Sequence, residues 1–387
     1  MDTEYNIEGV RTMKFMHISD LHLGKRLNTA SLIDDQRYIL EQITKIAEED
    51  KVGCMLIAGD VFDEGNSTSA ESVTLLDDFL TGLSDLGIRT YMISGNHDSM
   101  DRLEFGSRMF SKNNLFISST FKGYPERFEV VDNGKIVGIY LLPFVKPAHV
   151  RQFYPETPSD FNSALSTLFA HTNLGKDDVR ILVTHQYVVS GTQYPETCDS
   201  ERKYVGGEEA VSADIFEDFD YVALGHIHSP QPIGRETIRY CGAPMKYTGS
   251  AKETDKSVTI IDTDGGIRIS EIPLKPLRDI RLLKGPLDKL VEMGKKDPCN
   301  QDYIFAVIQG DSMNAMARMR EVYPNTMHLS FENDLKNDAN IEADIDLEHL
   351  DINDEFAKFF KSKTEEELTE SQKKMVRELF DKMEVVL

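Results

Sequence analysis

The chain has 387 residues, 40% hydrophobic and 28% charged, the balance of a soluble globular protein whose length calls for two or three domains. Its formal net charge of −23 argues against a free-standing nucleic-acid binder, because phosphate contacts need a basic surface; yet the acid is concentrated in residues 331–370, so a polyanionic substrate stays open. No apolar run approaches a membrane span, no basic flank leads into an apolar block as in a secretory signal, and Cys54, Cys198, Cys241 and Cys299 form no C-x-x-C pair, so the expectation is a cytoplasmic protein with reduced thiols, no membrane contact and no zinc–thiolate centre.

Residues 1–12 show no periodicity and are expected to be a disordered extension. From Lys14 the pattern sharpens. "KFMHIS" reads as a strand, 31–50 and 68–86 carry apolar residues at helical spacing, and "GCMLIAGD" and "RTYMISGN" are further buried strands. "RFEVVDNGKIVGIYLLPF" predicts a hairpin turning on Asn133-Gly134, "FNSALSTLFAH" a helix, and "DVRILVTH" and "DYVALGH" two more strands. "TIRYCG", "SVTIID" and "IRISEI" close a first domain spanning 13–274. Residues 275–331 read β-α-β-α-β, a small sheet with helices on one face. The acidic stretch 332–353 is expected to be an extended linker, and 354–387 a helical tail with Phe356, Phe359 and Phe360 on one face and a Thr369/Gln372 capping box.

Chemistry enters where the apolar runs stop. The first ends on Asp20, with His22 next but one; the second on Asp60; the third on Asn96 and His97; the fourth on His185; the fifth on His226 and then His228. If these strands share one sheet and one direction, the groups gather at a single sheet edge, where α/β folds place their sites. A D-x-H or H-x-H step lets both side chains point the same way from an extended segment. Leaving His97 aside, two Asp, one Asn and four His are too many donors for one ion and suit two ions sharing a bridging carboxylate. The mixed oxygen and nitrogen set favours manganese or iron over calcium, and no thiolate demands zinc. A lone histidine after a strand is ordinarily a loop residue; it is the conjunction of five such strand ends that points to a metal centre. His17, inside a strand run, reads as a packed residue.

The blocks "DLHLG" (20–24), "GDVFD" (59–63), "GNHD" (95–98), "TH" (184–185) and "GHIH" (225–228) resemble the five blocks of the calcineurin-like metallophosphoesterases. "MKFMHISDLHLGKRLN" and "YCGAPMKYTGSAKETDKSVTIID" are similar to one branch of that family, the SbcD-type nuclease subunits of bacterial SbcCD exonucleases, and "LRDIR" and "MREVYPNTMHLSF" to that branch's capping domain. The resemblance implies a four-layer α/β/β/α sandwich with a small α+β capping domain and a C-terminal helical tail. It implies two divalent ions, manganese first, with iron or magnesium as alternatives. Asp20, His22 and His228 would hold one, Asn96, His185 and His226 the other, and Asp60 would bridge them. His97 would protonate the leaving oxygen, with Asp63 orienting it.

The implied substrate is DNA, as ends, hairpins and single strands processed in repair, recombination and replication. The implied partner is an SbcC-like coiled-coil ATPase bound through the tail. A homodimer through 68–86 and 101–112 is also expected. Lys25, Arg26, Lys112, Lys122, Arg127 and Lys146 are candidate phosphate contacts. Two rival readings use the same residues: a metallophosphoesterase for nucleotides, phosphoproteins or small phosphodiesters, and a non-catalytic scaffold. The first gains nothing from a capping unit and a detached tail. The second ordinarily loses ligands, which this chain keeps.

Overall fold

The computed structural model describes residues 13–198, 200–201, 209–249, 254–310 and 313–332, together with positions 360, 368, 369, 372, 373 and 376. The extension 1–12, the acidic linker beyond residue 332 and nearly all of the tail lie outside the described residues. At the tail's described positions the capping box is present: Thr369 N–H donates to Gln372 Oε1 at 2.8 Å, and Gln372 N–H donates back to Thr369 Oγ1 at 3.4 Å.

The first half alternates strand and helix: β1 (Lys14–Ile18), α1 (Ile33–Glu49), β2 (Val52–Ala58), α2 (Ala70–Asp85), β3 (Arg89–Ile93) and β4 (Leu115–Ser118). These four strands pair in parallel. Buried on both faces, they read as nearly continuous apolar runs. The short strand β4 was not anticipated; four residues, two of them half-buried, are too few to show a period.

A hairpin follows, β5 (Glu126–Asp132) and β6 (Lys135–Leu142). Asn133 and Gly134 both take positive φ, 48° and 77°, which is what a two-residue turn matching the strand twist requires. Then come α3 (Phe161–Ala170), β7 (Val179–Thr184), β8 (Tyr221–Leu224), β9 (Gln231–Ile233) and β10 (Arg235–Tyr240). The strands β11 (Ser257–Asp262) and β12 (Arg268–Pro273) return to the first sheet. That sheet has the order β12-β11-β1-β2-β3-β4, and the second β9-β10-β8-β7-β6-β5.

Side chains alternate across each strand and so build three packed seams. Met16, Ile18, Met55, Ile57 and Met92 face outward onto α1 (Ile39, Leu40, Ile43) and α2 (Leu75, Phe79, Leu83). Their neighbours Phe15, Leu56, Tyr91 and Ile93 face inward, onto Val137, Ile139, Ile181, Val183 and Tyr221 of the second sheet. The second sheet's outer face, with Tyr140, Leu142, Leu182 and Val222, is covered by Phe161, Leu165 and Leu168 of α3. Each fully buried large apolar side chain contributes roughly 1.5–3 kcal/mol. The outcome is the α/β/β/α layering that the family resemblance implies. His17 lies in the middle seam, with Nδ1 3.1 Å from the Tyr221 hydroxyl.

Residues 280–331 form a separate three-stranded parallel sheet, β13 (Ile280–Gly285), β14 (Tyr303–Ile308) and β15 (Thr326–Phe331), with α4 (Leu287–Gly294) and α5 (Ala315–Val322) sharing one core with it. Asp35, fully buried on α1, anchors this unit. Arg278 Nε donates to Asp35 Oδ1 at 2.9 Å, and the Tyr303 hydroxyl donates to Oδ2 at 2.9 Å. No helix among the described residues is long and apolar enough to cross a membrane.

Candidate metal centre

The donors come from two sheets, not the single sheet that the strand-end pattern suggested. Asp20 and His22 follow β1, Asp60 follows β2 and Asn96 follows β3, all parallel in the first sheet. His185 follows β7, and His226 and His228 follow β8, which run parallel in the second. Sequence period cannot reveal this, since strands of facing sheets carry the same apolar pattern.

Bringing donors together from two sheets demands unusual backbone. Asp20, His22, Asp60 and His226 all have positive φ, at 54°, 43°, 49° and 95°. Each such conformation in a non-glycine residue costs of order 1–3 kcal/mol and persists only where surrounding contacts enforce it. Hydrogen bonds between loops do so here: Asp20 N–H donates to Gly59 O and His22 N–H to Asp60 O, both at 3.0 Å. Gly59 has no side chain for a second reason besides its φ of +86°. A Cβ there would stand 2.6 Å from His185 Nδ1 and 2.8 Å from Gly95 N.

The seven predicted ligands converge. His22 Nε2 and His228 Nε2 lie 3.2 Å apart, and His228 Nε2 lies 3.7 Å from Asp20 Oδ1. On the other side, Asn96 Oδ1 lies 3.1 Å from His185 Nε2 and 3.0 Å from His226 Nδ1. Between the two groups a single oxygen, Asp60 Oδ2, faces both: 3.7 Å to His22 Nε2 and 3.3 Å to His185 Nε2. The other oxygen of Asp60 accepts the His97 N–H at 2.9 Å. His97 itself offers a donor atom within 4.8 Å of those of His22 and Asp60.

Do these residues fit cations? His185 Nδ1 is 2.7 Å from the Ala58 carbonyl, so it must carry the hydrogen. In the neutral ring, Nε2 then presents a lone pair to two oxygens, Asn96 Oδ1 and Asp60 Oδ2. Electron pairs face one another with no proton between, which is what a cation relieves. The electrostatics agree. Although burial opposes it, the Asp60 carboxylate raises His185 to about 9, so that a proton takes the cation's place. Burial lowers His226 to about 3 and lowers His22 and His228 too, leaving neutral imidazoles with free lone pairs. Burial also pushes Asp20 up to about 7, whereas His185 and His22 overcome burial and hold Asp60 well below the usual carboxylate range. Buried donors in this state are a poor hydrogen-bond network and a good ligand set.

Asp63 meets His97 as expected, but through its main chain. The Asp63 backbone carbonyl is the atom that meets His97 Nδ1, at 2.9 Å. Its carboxylate lies 3.4 Å from His22 Nδ1 and accepts from Lys25 Nζ at 2.7 Å. The loop after β2 pairs with the loop after β3, Gly65 N–H donating to His97 O at 3.0 Å, and this turns a main-chain oxygen toward the ring.

Several supports escaped the sequence reading. Gln36, on the first turn of α1, grips the His22 loop: its Nε2 donates to the His22 carbonyl at 2.7 Å, and its Oε1 accepts the Gly24 N–H at 3.0 Å. The Tyr247 hydroxyl donates to the Leu21 carbonyl at 2.6 Å. Asp98 binds three backbone N–H groups, of Val61, Phe62 and Gly95, tying the Asp60 loop to the Asn96 loop. Asp98 alone had a signal, as the last letter of "GNHD". Among the candidate phosphate contacts, Lys25, Lys122 and Arg127 are already paired with carboxylates, Arg26 and Lys112 are exposed, and Lys146 is half-buried.

Residues 13–230, more than half of the chain, match the calcineurin-like phosphoesterase family. The chain belongs to that family. Calcineurin-like phosphoesterases hydrolyse phosphate esters with divalent metals, and the converging donors of this member suit that chemistry. Its residues 276–364 match a second family, the type 5 capsule protein repressor C-terminal domain. This phosphoesterase is 29% identical over 376 residues to the SbcD subunit of the SbcCD nuclease of Staphylococcus epidermidis, covering 95% of this chain and 98% of the relative. Among solved structures it is similar to a dimetal phosphatase from Danio rerio (TM-score 0.39, 11% identity, 68% of this chain and 96% of that one). It is similar also to the phosphoesterase Yfce from E. coli (TM-score 0.27, 12% identity, 68% of this chain and 100% of that one).

Proposed function

We propose that this phosphoesterase is the nuclease subunit of an SbcCD-type complex, a phosphodiesterase that cuts DNA with two divalent ions, manganese being the first choice. The observation that carries the proposal is the arrangement around Asp60, one oxygen facing two groups of donors, each drawn from both sheets. Asp20, His22 and His228 would hold one ion, Asn96, His185 and His226 the other, and Asp60 both. When bound, such ions polarise phosphoryl oxygens and make water a nucleophile near neutral pH.

The chain's own residues do the rest. In the protonated His97 ring, Nδ1–H stays on the Asp63 carbonyl, and Nε2 carries the proton handed to the departing 3′ oxygen. The His97 N–H bond to Asp60 Oδ1 keeps that ring in register with the bridging carboxylate. Gln36, Tyr247 and Asp98 hold the ligand loops so that little reorganises during reaction.

DNA as substrate draws support from the full-length similarity to a nuclease subunit. The paired state of Lys25, Lys122 and Arg127 fits a subunit that borrows its grip from a partner, the coiled-coil ATPase docked on the tail. The exposed Phe105 and Met109, 82% and 71% accessible, suit the homodimer surface expected within 101–112. Manganese-dependent cleavage of a DNA hairpin, with and without the ATPase and ATP, tests the proposal against a small phosphodiester. Turnover of the small diester alone, under all conditions, would reject DNA as the substrate.

A further inference from the structure

Cys198, Ser200 and Glu201 end no strand, yet they surround one donor of the centre. Ser200 Oγ lies 2.6 Å from His228 Nδ1, Glu201 Oε1 accepts the His228 backbone N–H at 2.8 Å, and Cys198 Sγ lies 2.9 Å from Ser200 Oγ. His228 is 2% exposed, and its other nitrogen faces His22 Nε2 and Asp20 Oδ1.

A neutral imidazole has one N–H, and where it sits decides whether His228 is a ligand. On Nε2 the hydrogen would point at His22 and block the lone pair. On Nδ1 it donates to Ser200 Oγ, and Nε2 is left open toward Asp20 and His22. Ser200 then turns its own hydroxyl hydrogen to Cys198 Sγ. At His185 the same tautomer is set by a backbone carbonyl, that of Ala58. At His228 it is set by a side chain, which substitution can remove. Cys198, Glu201 and His228 also cluster closely enough to suggest an ion of their own. However, the nitrogen that such an ion would need is the one occupied by Ser200.

We infer that Ser200 and Glu201 are positioning residues for His228, fixing its tautomer and its ring so that one of the two ions is held. The inference rests on the ion-pair reading above, and the test separates the two. Manganese binding to the full chain is titrated calorimetrically for wild type, Ser200→Ala, Ser200→Thr, Glu201→Ala and Glu201→Gln. The ring nitrogens of metal-free protein labelled with ¹⁵N-histidine are read by NMR.

Outer hydrogen-bond partners of ligating histidines are typically worth about 10–100-fold in metal affinity. The expected result is two ions on wild type, with one of them weakened by about that factor in Ser200→Ala and Glu201→Ala and the other unchanged. Ser200→Thr and Glu201→Gln, which keep the oxygen, should restore it. In the metal-free spectra, His228 should be Nδ1-protonated in wild type and lose that preference in Ser200→Ala. Two ions with unchanged affinities in both alanine variants would overturn the inference while leaving the ion pair standing. No ion on wild type would sink the ion pair itself; the spectra would still decide the positioning role, which fails if wild type and Ser200→Ala give the same His228 tautomer.

Discussion

His97 differs from the other histidines of the centre. It is half-buried where they are buried, and its ring is held by a main-chain oxygen, so a proton can reach it and leave it. His97→Ala should therefore keep both ions, measured as metal per chain, and lose about 10²–10⁴ in hairpin cleavage. Full cleavage by that variant would remove His97 from the reaction. His17 supports a different prediction. Burial, and secondarily Arg239, lowers its pKa to about 3, whereas the unfolded ring titrates near 6.5. Below 6.5 the unfolded chain binds a proton that the folded chain refuses, so stability falls as pH drops from 6.5 toward 3. His17→Asn removes that titration and should make the acid side of the stability curve shallower. An equally steep curve would place the acid sensitivity elsewhere.

Among the elements, α1 has two jobs on adjacent residues. Asp35 anchors the unit 280–331 through Arg278 and Tyr303, while Gln36 grips the His22 loop. Asp35→Ala takes the carboxylate from Arg278, whose guanidinium keeps access to solvent, and from the Tyr303 hydroxyl, so the loss should be about 1–3 kcal/mol. Urea unfolding should show the loss, and limited proteolysis between β12 and β13 should quicken; unchanged proteolysis would mean that other contacts hold the unit. Elements also show what a sequence makes legible. The strands other than β4 and β9, the helices α1 to α3 and the hairpin turn could be read because their periods and turn residues are local. The donors could be read because each ends an apolar run. Which sheet each strand joins could not, since partners are chosen by packing between distant segments. Nor could Gln36, which looks like any polar residue on a helix's first turn. Spacing placed Asp63 near His97 but could not tell that its carbonyl, not its carboxylate, makes the contact.

At the scale of the molecule, two charged or polar ligand groups are buried between sheets that apolar packing holds together. Without cations, Asp60 and the raised His185 must satisfy each other inside the protein. Binding to the folded state alone stabilises by about 2.7 kcal/mol when free ion stands at 100 times its dissociation constant. A chelator should therefore lower the thermal midpoint, and manganese should restore it. A midpoint indifferent to both would argue that the donors bind no ion in solution.

The division of the centre between two sheets also governs when, during synthesis of the chain, the donor set becomes complete. A chain released before residue 185 has Asp20, His22, Asp60 and Asn96 but none of the second sheet's imidazoles. Such fragments lack three of the seven donors, His185, His226 and His228. The donor set is complete only once residue 228 has been made and the second sheet has docked on the first.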